Sequence, residues 1–115
     1  MNETKERKKY EPKEYTVIGE IEDVKEKRTY DNPEKKWKPR DPYYYQIFLM
    51  NQYPQEYRII NAWKSSIEGD KEWPAEKIWE TLDKKTFRQY HGKKINFIFV
   101  KYQKWVNLKR WQIVN

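Results

Sequence analysis

The segment "KPRDPYYYQIFLMNQY" (residues 38–53) decides how this chain is read. In an extended strand, successive side chains point to opposite faces. Tyr43, Tyr45, Ile47 and Leu49 therefore share one face, and Tyr44, Gln46, Phe48 and Met50 share the other. Tyr45, Ile47 and Leu49 form the more apolar set and belong to a core. The opposite face, half aromatic and half polar, is left to meet a partner.

Downstream, "QYPQE" (52–56) has the length of a hairpin turn and leads into a strand, "YRIINAWKS" (57–65). With Ile60 and Ala62 directed inward, Ile59, Asn61 and Trp63 fall outside. Upstream, "YTVIGEIEDV" (15–24) is β-branched and alternating, with Gly19 at a bend or bulge. The intervening residues 25–42 carry Asn-Pro, Lys-Pro and Asp-Pro and read as a long exposed loop whose ends can prolong the flanking strands. Beyond residue 66 the pattern changes. Pro74 suits a first helical turn, Ile78, Trp79, Leu82 and Phe87 follow at helical spacing, and Gly92 is a natural stop. A fourth strand, "KKINFIFVKYQKW" (93–105), and a short fifth, "LKRWQIVN" (108–115), complete the chain. Residues 1–14 are a charged arm without periodicity, read as a disordered arm or a frayed lead-in, and 15–115 are read as a single domain.

The order β-β-β-α-β-β, the length and the glycine in the first strand resemble an oligonucleotide/oligosaccharide-binding (OB) fold. The likeness is carried by "GEIEDV" in strand 1, "INAWK" in strand 3 and "GKKINFIFVK" running into strand 4, which resemble the matching strands of single-stranded-DNA-binding OB domains. It covers 15–115. It implies an all-β domain with one helix, a five-stranded Greek-key barrel whose ligand face is made by strands 2 and 3. It also implies that two segments flank that face, the loop between strands 1 and 2 and the strand 4–5 hairpin.

Charge gathers in those two segments. The chain is basic, with a net charge of +7. Residues 24–40 hold seven bases against three acids, and 93–110 hold six bases and no acid, whereas 65–92 are nearly balanced. Such a groove tracks phosphates while aromatic faces stack bases. The expected phosphate-binding residues are Lys35, Lys36, Lys38, Arg40, Arg58, Lys64, Lys101, Lys104, Lys109 and Arg110. The expected stacking residues are Trp37, Tyr44, Phe48, Trp63, Tyr102 and Trp105, with Gln46 and Asn61 offering hydrogen bonds to bases.

Chemistry other than binding has little to build on. There is no cysteine, His91 is the single histidine, and three glycines leave no Gly-rich phosphate loop. Glu20, Glu22 and Asp23 beside Lys25 resemble the D-x-K string of some nucleases, but alternating acids are more simply the solvent face of a strand. No enzyme, cofactor or metal is expected. No apolar run approaches the roughly 20 residues that span a bilayer, so a cytoplasmic protein is expected, without a membrane partner. The expected ligand is single-stranded DNA, bound with little sequence preference. RNA is the alternative, and the remaining expectations are a protein-binding OB adaptor or a homo-oligomer.

Overall fold

The computed structural model describes residues 13–29, 41–50 and 57–114. Trp37, Lys35, Lys36, Lys38, Arg40, the turn at 52–56 and nearly all of the N-terminal arm lie outside the described residues.

The described residues form six strands and one α-helix. The strands are β1 (Glu14–Gly19), β2 (Ile21–Arg28), β3 (Tyr43–Leu49), β4 (Ile59–Ala62), β5 (Ile95–Tyr102) and β6 (Trp105–Ile113). The helix α1 (Ala75–Asp83) and a 3₁₀ turn (Thr86–Tyr90) lie between β4 and β5. All six strands belong to one sheet, ordered β1-β5-β6-β4-β3-β2. Every pairing is antiparallel except that of β4 with β6.

Six strands appear where five were expected because the first breaks after Gly19. Its first half pairs with β5, and its second half crosses to pair with β3. Glu20 alone separates the halves, so the two strands at opposite ends of the sheet are consecutive in the chain. The Glu20 carbonyl accepts a hydrogen bond from the Met50 amide at 3.0 Å. The second half also runs farther than expected, to Arg28, which removes four residues from the loop.

The pleat assigns the inner face as the alternation predicts. Tyr45, Ile47, Leu49, Ile60 and Ala62 are buried, joined by Ile95, Phe97, Phe99, Val106 and Leu108. In β6 the pairing slips by one residue between Leu108 and Arg110. This bulge at Lys109 resets the alternation, so Leu108 and Trp111, three apart, are both wholly buried. The Lys109 carbonyl is turned to accept the amides of Glu68 and Gly69 at 2.8 and 3.0 Å.

The helix closes one side of this core through Ile78, Trp79 and Leu82, all buried. Burying an aliphatic or aromatic side chain contributes about 1.5–3 kcal/mol, so these three residues anchor the helix. The expected single helix instead stops at Lys84, and Lys85 takes a left-handed φ of 62°. The reversal starts the 3₁₀ turn, which delivers Phe87 to the core. At the end of α1, Asp83 Oδ1 accepts the hydroxyls of Tyr45 at 2.7 Å and Tyr43 at 3.1 Å. That hydrogen bond raises the Tyr43 hydroxyl pKa; for Tyr45 burial raises it most, with the Asp83 bond second.

Candidate nucleic-acid interface

The outer face carries the other half of the alternation. Gln46 stands opposite Asn61, and Phe48 opposite Ile59, across the β3–β4 ladder. Tyr44 and Trp63 extend this pairing one step further and stack on each other. Asn107 of β6 is in parallel register with Asn61. From the far side, Tyr102 and Trp105 flank the two-residue β5–β6 hairpin turn as register partners.

These elements enclose a groove of about 640 Å³. Tyr44, Asn61, Trp63, Tyr102 and Trp105 line it, so five of the sequence-predicted residues converge on one cavity. The fold also brings in Arg28, Thr29, Ser65, Ser66 and Asn107. Tyr102 and Trp105 are 67% and 47% exposed, far more than a ring needed for the core would be.

Local bonding holds the groove in shape. The Asp41 carboxylate is buried and accepts both the Ser65 amide at 3.2 Å and the Ser65 hydroxyl at 2.8 Å. The Asp41 carbonyl accepts the Thr29 hydroxyl at 2.7 Å, and the Trp63 carbonyl accepts the Ser66 amide at 2.9 Å. Asp41 thus ties the turn after Trp63 to the strand ends that bear Arg28 and Tyr43. Nothing in "RDPYYY" marks this aspartate as more than a loop residue; its burial is a tertiary fact.

Two of the residues predicted to contact bases lie outside the groove. Gln46 Nε2 donates to Asn61 Oδ1 at 3.3 Å instead of lining the groove. Phe48 is on the same outer face but beyond the cavity, with Lys25 Nζ 5.1 Å from its ring centroid.

Several of the predicted phosphate-binding cations are engaged by acids or turned inward. Arg110 grips Glu14 through two hydrogen bonds, at 2.8 and 3.3 Å, and reaches Glu68 at 3.8 Å. Lys109 Nζ lies 3.7 Å from Glu68 and 3.4 Å from the Ser66 carbonyl. Arg58 pairs with Glu22 at 3.0 Å and donates to the Leu49 carbonyl. Lys101 stands over Tyr15 and Tyr57, rings packed against the core. Lys64 is exposed beside Trp63, and Lys104 lies over Trp105. In β2, Lys25 and Lys27 stand opposite Gln46 and Tyr44, beside the outer-face rings. The alternation of 15–24 did not signal them: a register shift between Ile21 and Asp23 resets the pleat and turns Lys25 and Lys27 to the outer face.

Two acids of the strand 1 cluster have local partners: Glu22 pairs with Arg58, and Asp23 Oδ1 accepts the Val24 amide. Among the described residues no group of three or more histidines or carboxylates is placed to hold a metal ion. No described helix is long and apolar enough to cross a membrane. No family model, curated protein or solved structure is significantly similar to the chain.

Proposed function

We propose that this chain is a single-stranded nucleic-acid-binding domain, with DNA as the ligand and little sequence preference along most of its path. The observation that carries the reading is the groove that gathers Tyr44, Trp63, Tyr102 and Trp105 around Asn61 on the outer face. Rings kept out of the core and lined by amides and hydroxyls suit stacked bases with polar edges. Lys27, Arg28, Lys64 and Lys104 stand near those rings, and Lys25 stands over Phe48 farther along the same face, where cations would meet a phosphate backbone. As part of the same proposal, β1 and β2 act as two halves of one bent strand, which makes the sheet the equivalent of a five-stranded OB barrel. The role is binding and not catalysis.

The test is a titration of tryptophan fluorescence with single-stranded DNA, single-stranded RNA and duplex DNA of one length, at several salt concentrations. Single-stranded DNA should quench the fluorescence, bind more tightly than duplex, and lose affinity linearly in log salt. Tighter binding of RNA would move the domain to RNA metabolism. If none of the three binds at low salt, the nucleic-acid reading fails and the exposed rings answer to a protein partner.

A further inference from the structure

Half of the groove's aromatic platform stands outside the sheet. β4 ends at Ala62, so Trp63 lies one residue beyond its strand. It opens a tight turn, in which its carbonyl accepts the amides of Ser66 at 2.9 Å and Ile67 at 3.2 Å. The far end of this turn is fixed in the core, where Ile67 is buried. Its middle is held by Asp41, whose Oδ2 accepts both the amide and the hydroxyl of Ser65. The Asp41 backbone is fixed to the end of β2. Its carbonyl accepts the Thr29 hydroxyl, and the neighbouring Pro42 carbonyl accepts the Thr29 amide at 3.0 Å. One buried carboxylate thus joins two walls of the groove, Arg28–Thr29 and Trp63–Ser66, without itself lining it.

We infer that Asp41 is a positioning residue for the ligand. Through Ser65 it holds the turn, and with it the Trp63 ring, in place against Tyr44 before nucleic acid arrives. The inference rests on the nucleic-acid reading above. A turn held in advance need not be ordered on binding, so its ordering is not subtracted from the affinity. Charge makes the role visible. Asp41 puts a negative charge beside a groove that takes an anionic strand, so electrostatics alone would make any neutral replacement bind more tightly. Positioning gives the opposite sign, but only for a replacement that releases Ser65. Asp41→Asn keeps an oxygen able to accept both Ser65 bonds, whereas Asp41→Ala leaves the Ser65 amide and hydroxyl to water.

Two dye-labelled single strands of equal length separate stacking from charge, one of thymidine and one abasic throughout. Affinities are read by fluorescence anisotropy at low salt, with urea melts fixing the folded fraction of each variant. The wild-type protein should favour the thymidine strand. Asp41→Ala should bind that strand about tenfold more weakly, as expected when about one further side chain must be immobilised at the interface. Its affinity for the abasic strand should hold or rise. Asp41→Asn should bind both strands at least as tightly as the wild type. A purely structural role would lower both affinities of Asp41→Ala alike, in step with the folded fraction. A purely electrostatic role would raise both affinities in either variant. Either outcome overturns the inference. Should Asp41→Ala fail to fold, Asp41→Glu decides, since it keeps the charge and moves the carboxylate by one methylene. A loss confined to the thymidine strand is then expected, and unchanged affinity for it overturns the inference. If the wild-type protein binds the two strands equally, the stacking site itself fails, and the nucleic-acid reading with it.

Discussion

Tyr44 and Trp63 lie face to face, with ring centroids 4.1 Å apart and planes 15° from parallel. Each ring has one face covered by the other, so the pair forms one two-ring platform and not two separate stacking sites. Tyr44→Ala and Trp63→Ala should each weaken single-stranded DNA binding by about 1–3 kcal/mol, the range for one base–aromatic stack. The double variant should lose little more than the worse single one, because touching residues are not additive. Full additivity in a double-mutant cycle would mean that the rings hold different bases. Phe48→Ala, outside the cavity, should affect binding less than either.

The ion pairs sort the cations. Arg110 and Lys109 are held by Glu14 and Glu68, so replacing both with alanine should leave the salt dependence of binding nearly unchanged. Replacing Lys25, Lys27 and Lys104 together should flatten the log–log slope by about 0.7 for each phosphate of a single strand that is no longer neutralised. A larger change from Lys109 and Arg110 would show that nucleic acid displaces their acidic partners.

The tyrosine pair on Asp83 makes stability sensitive to alkali. The folded state holds the Tyr43 and Tyr45 hydroxyl protons more tightly than the unfolded chain does, since both pKa values are raised. Their contribution is therefore complete below the unfolded value of about 10 and is lost as pH climbs toward the folded values. Urea melts between pH 7 and pH 11 should show stability falling above about pH 10. Tyr45→Phe should soften that fall, and at pH 7 it should cost about 1 kcal/mol for the missing hydrogen bond.

Two glycines with similar backbone angles should respond differently to alanine. Gly69 and Gly92 have φ of 73° and 83°. A Cβ at Gly69 would collide with the backbone of Trp73, Pro74 and Ala75, whereas one at Gly92 meets nothing within 4 Å. Gly92→Ala should cost about 1–2 kcal/mol from left-handed strain alone. Gly69→Ala should cost distinctly more, because the turn that delivers Pro74 to α1 must also open. Equal shifts in thermal melts would contradict this reading of the turn.

In the core, Leu82→Ala should destabilise by about 2–5 kcal/mol, as a fully buried leucine does. The effect should appear in denaturant melts, with oligonucleotide affinity unchanged in the folded fraction because Leu82 lies away from the groove.

Much of the fold was legible in the chain alone. The inward set Tyr45, Ile47, Leu49, Ile60 and Ala62 follows from a strand period of two, and the buried helix face Ile78, Trp79 and Leu82 from a period near 3.6. Both signals are local and repeat several times within one element. The lengths of elements were less legible. β2 continues to Arg28 through charged residues that resemble a loop, because pairing with β3 satisfies its backbone whatever its side chains are. The bulge at Lys109 was invisible for a similar reason. It is set by the Glu68 and Gly69 amides, which lie some forty residues away.

The sequence by itself determined which faces of the strands and helix are buried, that the surplus charge is concentrated in two segments, and that a row of rings stands on the face away from the core. Hydrophobic alternation and composition suffice for that, since each residue's preference needs only its near neighbours. Only the tertiary structure decided what those outer residues do with one another. It pairs Arg110 with Glu14 across 96 positions, stacks Tyr44 on Trp63, and joins the Gln46 amide to the buried Asn61 oxygen. Charge pairing, ring stacking and amide orientation act over a few ångströms between residues far apart in the chain. No pattern along the chain carries such distances until the sheet has brought the partners together.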